Sequence, residues 1–171
     1  MLVIVDMQAR LLPHLDGAER LTERAGTLLR AANLLDVPVV FTEQNPQRLG
    51  GTADALLRDL QSAKGIEKHT FDATLEPAFV DALPPAPATV WVAGAEAHVC
   101  VLLTTLGLLR LGYRVEYVAD AVASRRAADR TIALERAQQD GARLTTVETA
   151  IFGWLGSFRH PRFRDALALI K

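Results

Sequence analysis

The sequence predicts a three-layer α/β/α Rossmann-like domain with a mainly parallel sheet of five or six strands. Short β-rich segments alternate with longer segments of helical periodicity along the 171 residues, and the first three strand segments are apolar almost throughout. Strands that are continuously apolar are buried on both faces, as in a parallel sheet covered by helices. Strands alternating with helices of this length form right-handed βαβ crossovers. We therefore expect a single domain over residues 1–171.

Five segments carry the strand pattern, being short, rich in β-branched residues and separated by helical stretches. They are LVIVD (2–6), VPVVFTE (37–43), TVWVAGA (89–95), RVEYVAD (114–120) and RLTTVET (143–149).

Three of the intervening segments predict helices. In GAERLTERAGTLLRAANLL, one face carries Leu21, Ala25, Leu28, Leu29, Ala32 and Leu35. In RAADRTIALERAQQDG, the apolar face carries Ala128, Ile132, Leu134 and Ala137, and Gly141 is suited to end the helix. The third, HVCVLLTTLGLLRLG, is apolar nearly all round, so we expect a central helix that ends at Gly112.

Two segments do not follow this alternation. Residues 44–74 contain a turn-rich opening, a short helix and a polar stretch, and such a long irregular segment in a compact domain is often functional. The segment ETAIFGWLGSF follows the last strand and carries Ile151, Phe152, Trp154 and Phe158. A loop this apolar must pack on its own core or on a second subunit.

Composition limits the partners and the compartment. A formal net charge of -1 gives no electrostatic footprint for nucleic acid or for an anionic membrane surface. No apolar run approaches the ~18 residues of a membrane span, and MLVIVD is too short for a secretory core. One cysteine forms no internal disulfide, which favours a reducing compartment. We therefore expect a cytoplasmic protein that binds neither nucleic acid nor membrane.

Three residues at or beyond predicted strand ends form the candidate site, because open α/β sheets bind ligands beyond the carboxyl ends of their strands. Asp6 closes the first strand, Lys68 follows the irregular segment, and Cys100 opens the central helix. Each also has a structural interpretation: Asp6 as a helix cap, Lys68 as a solvated side chain, and Cys100 as a small core residue. A first helical turn and a nearby ammonium would lower the pKa of the thiol, and a carboxylate could accept its proton.

The order of these motifs resembles the isochorismatase-like cysteine hydrolases, a superfamily that includes nicotinamidases. DMQ after an apolar strand, the Lys of KHTF and the turn GAEAHVCV before a helix carry the resemblance, which continues through VADAVASR to the C-terminal segment HPRFRDALALIK. The loop TEQNPQRLGG and the HPRF tail are most similar to the isochorismatase domain-containing protein subgroup.

The resemblance implies a Cys-Asp-Lys triad in which Asp6 is the general base, Lys68 stabilises the thiolate and Cys100 is the nucleophile. It also implies a non-prolyl cis peptide at Ala95–Glu96, which would turn the Glu96 N–H toward the same point as the Cys100 N–H and form an oxyanion hole. Family members are commonly oligomers, so the resemblance favours a homo-oligomer.

The candidate substrate pocket is expected to be formed by Gln8, Leu11, Glu43, Gln44, Phe71 and His98. The family's nicotinamidases have an aromatic residue where this chain has Leu11 and a metal-binding loop where TEQNPQRLGG has neither histidine nor aspartate. Nicotinamide is therefore disfavoured, and no metal and no cofactor are expected.

We expect from these features a cofactor-free cysteine hydrolase that cleaves a small amide or related acyl compound through a thioester intermediate. Two alternatives from other classes stay open: a catalytically silent scaffold or interaction protein with the same fold, and a redox-responsive thiol protein.

Overall fold

The computed structural model describes all 171 residues and contains one six-stranded parallel sheet, in the order β3-β2-β1-β4-β5-β6. The strands are β1 (Leu2–Val5), β2 (Val39–Gln44), β3 (Lys64–Lys68), β4 (Thr89–Ala95), β5 (Arg114–Ala123) and β6 (Arg143–Thr145). The helices are α1 (Ala18–Leu34), α2 (Pro46–Leu49), α3 (Asp54–Leu57), α4 (Pro77–Val80), α5 (Leu102–Arg110), α6 (Ala127–Gln139), α7 (Val147–Leu155) and α8 (Phe163–Ala168). The predicted three-layer α/β/α architecture is confirmed. None of these helices is both long enough and apolar enough to cross a bilayer.

Helices cover the sheet on both faces, and the alternation of side chains along β1 shows how the two cores arise. Leu2 and Ile4 point into a cluster of 23 buried residues that includes those of α1 and α7. Val3 and Val5 point into a second cluster of 19 residues, on the side of α5 and α6. Because successive side chains of a strand face opposite ways, four consecutive apolar residues are what a doubly covered strand requires.

The strand order reverses at β1, which lies between β2 and β4. The sheet then grows outward in both directions, through β2 to β3 and through β4 to β5 and β6. In open α/β sheets this reversal leaves a crevice at the carboxyl ends of the central strands. Asp6 directly follows β1, so it lies at this crevice.

Strand β3 lies inside the segment 44–74, which the sequence had indicated to be irregular. It is an edge strand that pairs only with β2, from Val40–Lys64 to Gln44–Lys68. Its side chains alternate in burial, and only Ile66 and Lys68 are buried. A strand with so few apolar residues gives almost no signal in an apolar pattern.

The last predicted strand, over residues 143–149, is too long. Strand β6 ends at Thr145, and Thr146 caps α7 by accepting a hydrogen bond from the Thr149 N–H to its side-chain oxygen, at 3.2 Å. The apolar tail is therefore mostly a helix rather than a loop. Ile151 is buried in the first core, and the Trp154 ring packs edge-on against Trp91 at 5.5 Å.

The predicted apolar face is confirmed for α1 but only partly for α6. All predicted residues of α1 from Leu21 to Ala32 are buried, and Leu35, just beyond its end, is half-buried. Helix α6 buries Ala133 and Ala137, whereas Ala128 and Ile132 are exposed, so the predicted face was partly wrong. Its small buried side chains allow α6 to approach β5 and the turn before α5 closely.

Candidate active site

Asp6, Lys68 and Cys100 come together at the carboxyl edge of the sheet from three separate segments. Asp6 follows β1, Lys68 ends β3, and Cys100 lies in a π-helical turn, Ala97–Val101, between β4 and α5. Lys68 Nζ lies 2.8 Å from Asp6 Oδ2, and both side chains are 0% exposed. The Cys100 thiol, only 5% exposed as a residue, interacts with both charged groups.

Asp6 sits in a tight turn with a positive φ of 50°, a conformation that Asp tolerates better than most residues. Thr42 in β2 holds the carboxylate, because its hydroxyl donates to Asp6 Oδ1 at 2.7 Å. Asp6 Oδ2 is buried and has no aligned hydrogen-bond donor, although the Lys68 ammonium lies close by. One carboxylate oxygen is thus available to accept a proton.

The Lys68 ammonium is held by neutral acceptors as well as by Asp6. It donates to Gln44 Oε1 at 2.6 Å and to the Thr70 carbonyl at 3.2 Å. Gln44 is fixed in turn by the buried Gln8, whose Oε1 accepts from the Gln44 N–H at 2.7 Å and whose Nε2 donates to the Gln44 carbonyl at 3.1 Å. Buried charges are retained where such bonds compensate for lost hydration.

The first two residues of the π-helical turn that carries Cys100 are each held by a residue in β5 or directly after it. Tyr117 donates its hydroxyl to the Ala97 carbonyl at 2.8 Å. His98 Nδ1 and Ser124 Oγ share a hydrogen bond of 2.9 Å. These contacts fix the position of the thiol relative to the sheet.

The predicted cis peptide at Ala95–Glu96 is not present. The chain has its one cis bond at Ala86–Pro87, and Glu96 has ordinary extended dihedrals, with φ -71° and ψ 124°. The backbone irregularity before this turn occurs at Gly94 instead, where φ is +132° and the pairing with β5 shifts register. The oxyanion hole at Glu96 and Cys100 had relied on the cis bond to direct the Glu96 N–H, and it stays a prediction.

The thiol is less acidic than the sequence indicated. The pKa of Cys100 is raised to about 12, first by burial and then by the Asp6 carboxylate, and the Lys68 ammonium offsets only part of this increase. The expected lowering of the pKa was therefore wrong in sign. Cys100 rests as a neutral thiol beside a carboxylate that can take its proton.

Two of the six residues predicted to form the pocket, Leu11 and His98, line different clefts. Leu11 lines a cleft of about 460 Å³ together with His14, Glu96 and Arg125. His98 lines a separate cleft of about 240 Å³ against α6, beside Leu102 and Asp129. A shared lining of Leu11 and His98 is therefore not found.

The other four predicted pocket residues have varied positions. Gln8 and Gln44 support Lys68, and Glu43 accepts hydrogen bonds from the backbone and hydroxyl of Thr52. Phe71 is exposed. The sequence analysis missed Thr42, Thr70 and Arg125 as part of this region. Of these three residues, only Thr42 could have been noticed in the sequence, because it is a polar residue within the apolar run VVFTE.

The carboxyl edge of a parallel sheet, where this polar cluster lies, is where open α/β proteins generally bind their ligands. The isochorismatase domain matches residues 1–149. Isochorismatase domain-containing protein 2 from Macaca fascicularis is 38% identical over 173 residues, which cover 99% of this chain and 82% of that protein. The chain therefore belongs to the isochorismatase domain family, and this membership supports a hydrolase role.

Two solved structures illustrate the range of the fold. The MAR1 ribonuclease from Caenorhabditis elegans has a TM-score of 0.94 and 36% identity, covering 99% of this chain and 88% of that one. The YcaC gene product from Escherichia coli, described as an octameric hydrolase of unknown specificity, has a TM-score of 0.86. It is 22% identical, covers 98% of this chain and 91% of that one, and shows the shared fold alone.

Proposed function

We propose that this chain is a cofactor-free cysteine hydrolase of small amides or related acyl compounds, with Cys100 as nucleophile, Asp6 as general base and Lys68 as the stabilising cation. One observation carries the proposal: a fully buried Asp6–Lys68 ion pair, 2.8 Å apart, that interacts with the chain's only thiol. A thiol with a perturbed pKa beside a buried carboxylate and ammonium at a strand-end crevice is typical of a catalytic site.

The buried charges explain how a thiol with a raised pKa can act as a nucleophile. When the thiol proton moves to Asp6, the negative charge moves from the carboxylate to the sulfur while Lys68 stays beside both groups. The cluster has no net charge before or after the transfer, so no uncompensated charge is created in the interior. Proton transfer can therefore accompany attack on a carbonyl, as expected of a thiol activated by an adjacent base.

The complete reaction needs no further co-reactant than water. The Cys100 sulfur bonds to the substrate carbonyl carbon as Asp6 takes the thiol proton. The C–N bond then breaks, and the amine leaves with the proton held by Asp6. Water, deprotonated by Asp6, adds to the thioester carbonyl carbon, and the C–S bond breaks to release the acid and restore the thiol.

The backbone N–H of Cys100, in the turn between β4 and α5, is proposed to bind the developing oxyanion. The Glu96 N–H is not assigned this role, because the cis peptide that was expected to direct it is absent. A donor of this type is typically worth ~2.7–4 kcal/mol at the transition state.

The burial of the site favours a small substrate. Asp6, Lys68 and Cys100 are all buried, so a polymer has no direct access to them. One related structure is described as a ribonuclease, but the formal net charge of -1 here gives no general attraction for RNA. We therefore propose a small-molecule substrate, a cytoplasmic setting for a chain with no disulfide, and a homo-oligomeric state like the octamer described for the YcaC product.

A panel of short amides tests the proposal through ammonia release by the wild type, Cys100→Ser and Asp6→Asn. We expect turnover by the wild type, loss of at least a thousandfold in both variants, and a thioester mass adduct on Cys100 in quenched samples. An RNA substrate is included as a separate arm. RNA cleavage that survives Cys100→Ser, with no amide turnover, would overturn the proposal.

Two further results would point to the other classes of function. Reversible peroxide inactivation of Cys100 without amide turnover would indicate a redox-responsive thiol, which the burial and raised pKa of Cys100 already disfavour. Absence of turnover together with stable capture of a protein partner would indicate a scaffold.

A further inference from the structure

The turn that follows β3, residues 69–76, is organised around the carboxylate of Glu76. Glu76 Oε1 accepts hydrogen bonds from the His69 N–H at 2.9 Å and from the Thr70 N–H at 3.0 Å. The Thr70 hydroxyl lies 2.9 Å from the same oxygen and shares its proton between this oxygen and the Asp72 carbonyl, at 2.8 Å. Three donors therefore converge on one side-chain oxygen that has no role in the mechanism above.

This turn supplies one of the two neutral acceptors of the Lys68 ammonium. Lys68 Nζ donates to the Thr70 carbonyl at 3.2 Å and to Gln44 Oε1 at 2.6 Å. Thr70 is held in turn by Glu76, through both its N–H and its hydroxyl. Because a lysine ammonium lies at the end of a flexible four-carbon chain, its position depends on such acceptors.

Glu76 is also tied to α5, the helix that continues from the turn holding Cys100. The Glu76 N–H donates to the Ala73 carbonyl at 3.0 Å, and the Ala73 N–H donates to the buried Thr104 hydroxyl oxygen at 3.1 Å. Thr104 lies in α5, which begins directly after the π-helical turn. Glu76 therefore connects the turn that holds Lys68 to the helix that continues from Cys100.

The direction and charge of the Glu76 side chain do not fit a role as a helix cap. Glu76 occupies the N-cap position of α4, but its side chain makes no capping hydrogen bond to that helix. The carboxylate turns back toward β3 instead, and the His69 N–H, followed by the Thr70 N–H, lowers the pKa of Glu76. An ionised acceptor makes hydrogen bonds roughly twice as strong as a neutral one does.

We infer that Glu76 is a positioning residue, whose carboxylate fixes the Thr70 carbonyl and through it the Lys68 ammonium. The inference rests on the proposed hydrolase function, in which Lys68 stabilises the Cys100 thiolate. Glu76 acts on the thiol only through Lys68. Loss of its carboxylate frees the Thr70 carbonyl and weakens the hold on the ammonium, so that the cation stabilises the thiolate less.

The rate of Cys100 alkylation by iodoacetamide as a function of pH tests the inference without requiring turnover, because the chain has one thiol. Burial and Asp6 raise the pKa of Cys100, and Lys68 lowers it. In Glu76→Ala this lowering should diminish. The rate should then fall about threefold or more at every pH below the midpoint, the effect of weakening one hydrogen bond to a charged group. A merely structural defect would expose the buried thiol and raise the rate, as would loss of the Glu76 charge by itself.

Three further variants separate position from charge. Glu76→Asp keeps the charge but shortens the side chain by one methylene, so its rate should fall as in Glu76→Ala. Glu76→Gln keeps an acceptor oxygen at the same reach and should retain most of the wild-type rate. Glu67→Ala is the matched control, since Glu67 is an exposed glutamate directly before Lys68 on β3, and it should leave the rate unchanged. Thermal melting of each variant confirms that it is folded.

The outcomes separate this inference from the proposed function. Folded Glu76→Ala and Glu76→Asp that are alkylated at or above the wild-type rate, or a fall that Glu67→Ala shares, would overturn the positioning role. Amide turnover dependent on Cys100 would still support the hydrolase in that case. A fall in these two variants that Glu76→Gln restores, together with no amide turnover by the wild type, would support the positioning role but overturn the hydrolase.

Discussion

Lys68 and Asp6 are each other's main electrostatic compensation in an interior that excludes water from both. The hydrogen bonds from Lys68 to Gln44 and Thr70 satisfy the ammonium but add no negative charge. Removing either charge therefore leaves the other without a counterion. The pair links stability to the proposed catalysis, because the same two groups act on the pKa of the Cys100 thiol.

Lys68→Met should lower the free energy of unfolding by about 3–5 kcal/mol, because it leaves the buried Asp6 carboxylate unpaired. Adding Asp6→Asn to Lys68→Met should recover most of this loss. Urea unfolding of the two single variants and the double variant measures the coupling.

Lys64→Met is the control for this cycle, since Lys64 lies in the same strand but is exposed. It should change stability by less than about 0.5 kcal/mol. Additive effects of Asp6→Asn and Lys68→Met would contradict the coupled pair.

The residues of the candidate site could be predicted from the sequence, but the direction of the pKa shift of the Cys100 thiol could not. Asp6, Lys68 and Cys100 could be singled out by their places near strand ends and by their order along the chain. The helix dipole and the nearby ammonium, which lower a thiol pKa, could also be anticipated. Burial and contact with Asp6 raise it more, and both depend on how β1 and β4 meet in three dimensions.

Among the elements, β4 determines how the turn that holds Cys100 meets Asp6. Gly94 has a φ of +132°, and a Cβ there would overlap the backbone of Val5, the residue before Asp6. A glycine therefore allows the end of β4 to lie against the end of β1. This close approach brings the turn that holds Cys100 next to Asp6.

Gly94→Ala should lower the free energy of unfolding by about 3 kcal/mol or more, through overlap with a backbone that has no room to move. Gly153→Ala is the control, because a Cβ there meets nothing within 4 Å and the residue lies inside α7. That change should raise stability by about 0.5–1 kcal/mol. Equal melting temperatures for the two variants would contradict the close approach at Gly94.

The elements that were not predicted correctly have either a weak apolar pattern or a sequence that fits both a strand and the start of a helix. Strand β3 has an alternating pattern with only two buried side chains, one of them Lys68, so it lacks an apolar run. The stretch RLTTVET contains β-branched residues throughout, but Thr146 ends the strand by capping α7. Strand β1, which is buried at every position, and the periodic helix α1 were predicted well, because their patterns are set by burial on both faces or on one.

For the whole molecule, the apolar C-terminal region is the surface to test for the proposed homo-oligomer. Helix α7 buries Ile151 in its own core, whereas Phe152 stays partly exposed and Phe158 is 72% exposed. The four apolar residues of this tail were expected to pack on the core or on a second subunit, and the two phenylalanines are the ones that stay exposed.

We expect sedimentation analysis to show a species heavier than the 18.6 kDa monomer. Phe152→Ser combined with Phe158→Ser should reduce the assembly, because both changes remove exposed apolar area without touching the core. Ile132→Ser, at another exposed apolar position on α6, is the control. A wild-type chain that sediments as a monomer at micromolar concentration would rule out the assembly.

The overall architecture followed from the alternation of apolar strands and helices, but the strand order did not. Nothing in the local pattern states that β1 lies between β2 and β4, and this placement is what makes a crevice at Asp6. The cleft beside Arg125 likewise depends on three segments that are distant in the sequence.

The central claim is that the buried Asp6–Lys68 pair controls the Cys100 thiol. Its most direct test is the rate of Cys100 alkylation by iodoacetamide as a function of pH, for the wild type and Asp6→Asn. With a pKa near 12, the wild-type rate should rise about tenfold per pH unit through pH 10 without a plateau, since only the thiolate reacts. Asp6→Asn removes a group that raises the pKa, so its profile should shift to lower pH even as amide turnover is lost. A wild-type midpoint at or below the free-thiol value of ~8.5, unchanged in Asp6→Asn, would contradict a thiol controlled by the buried pair.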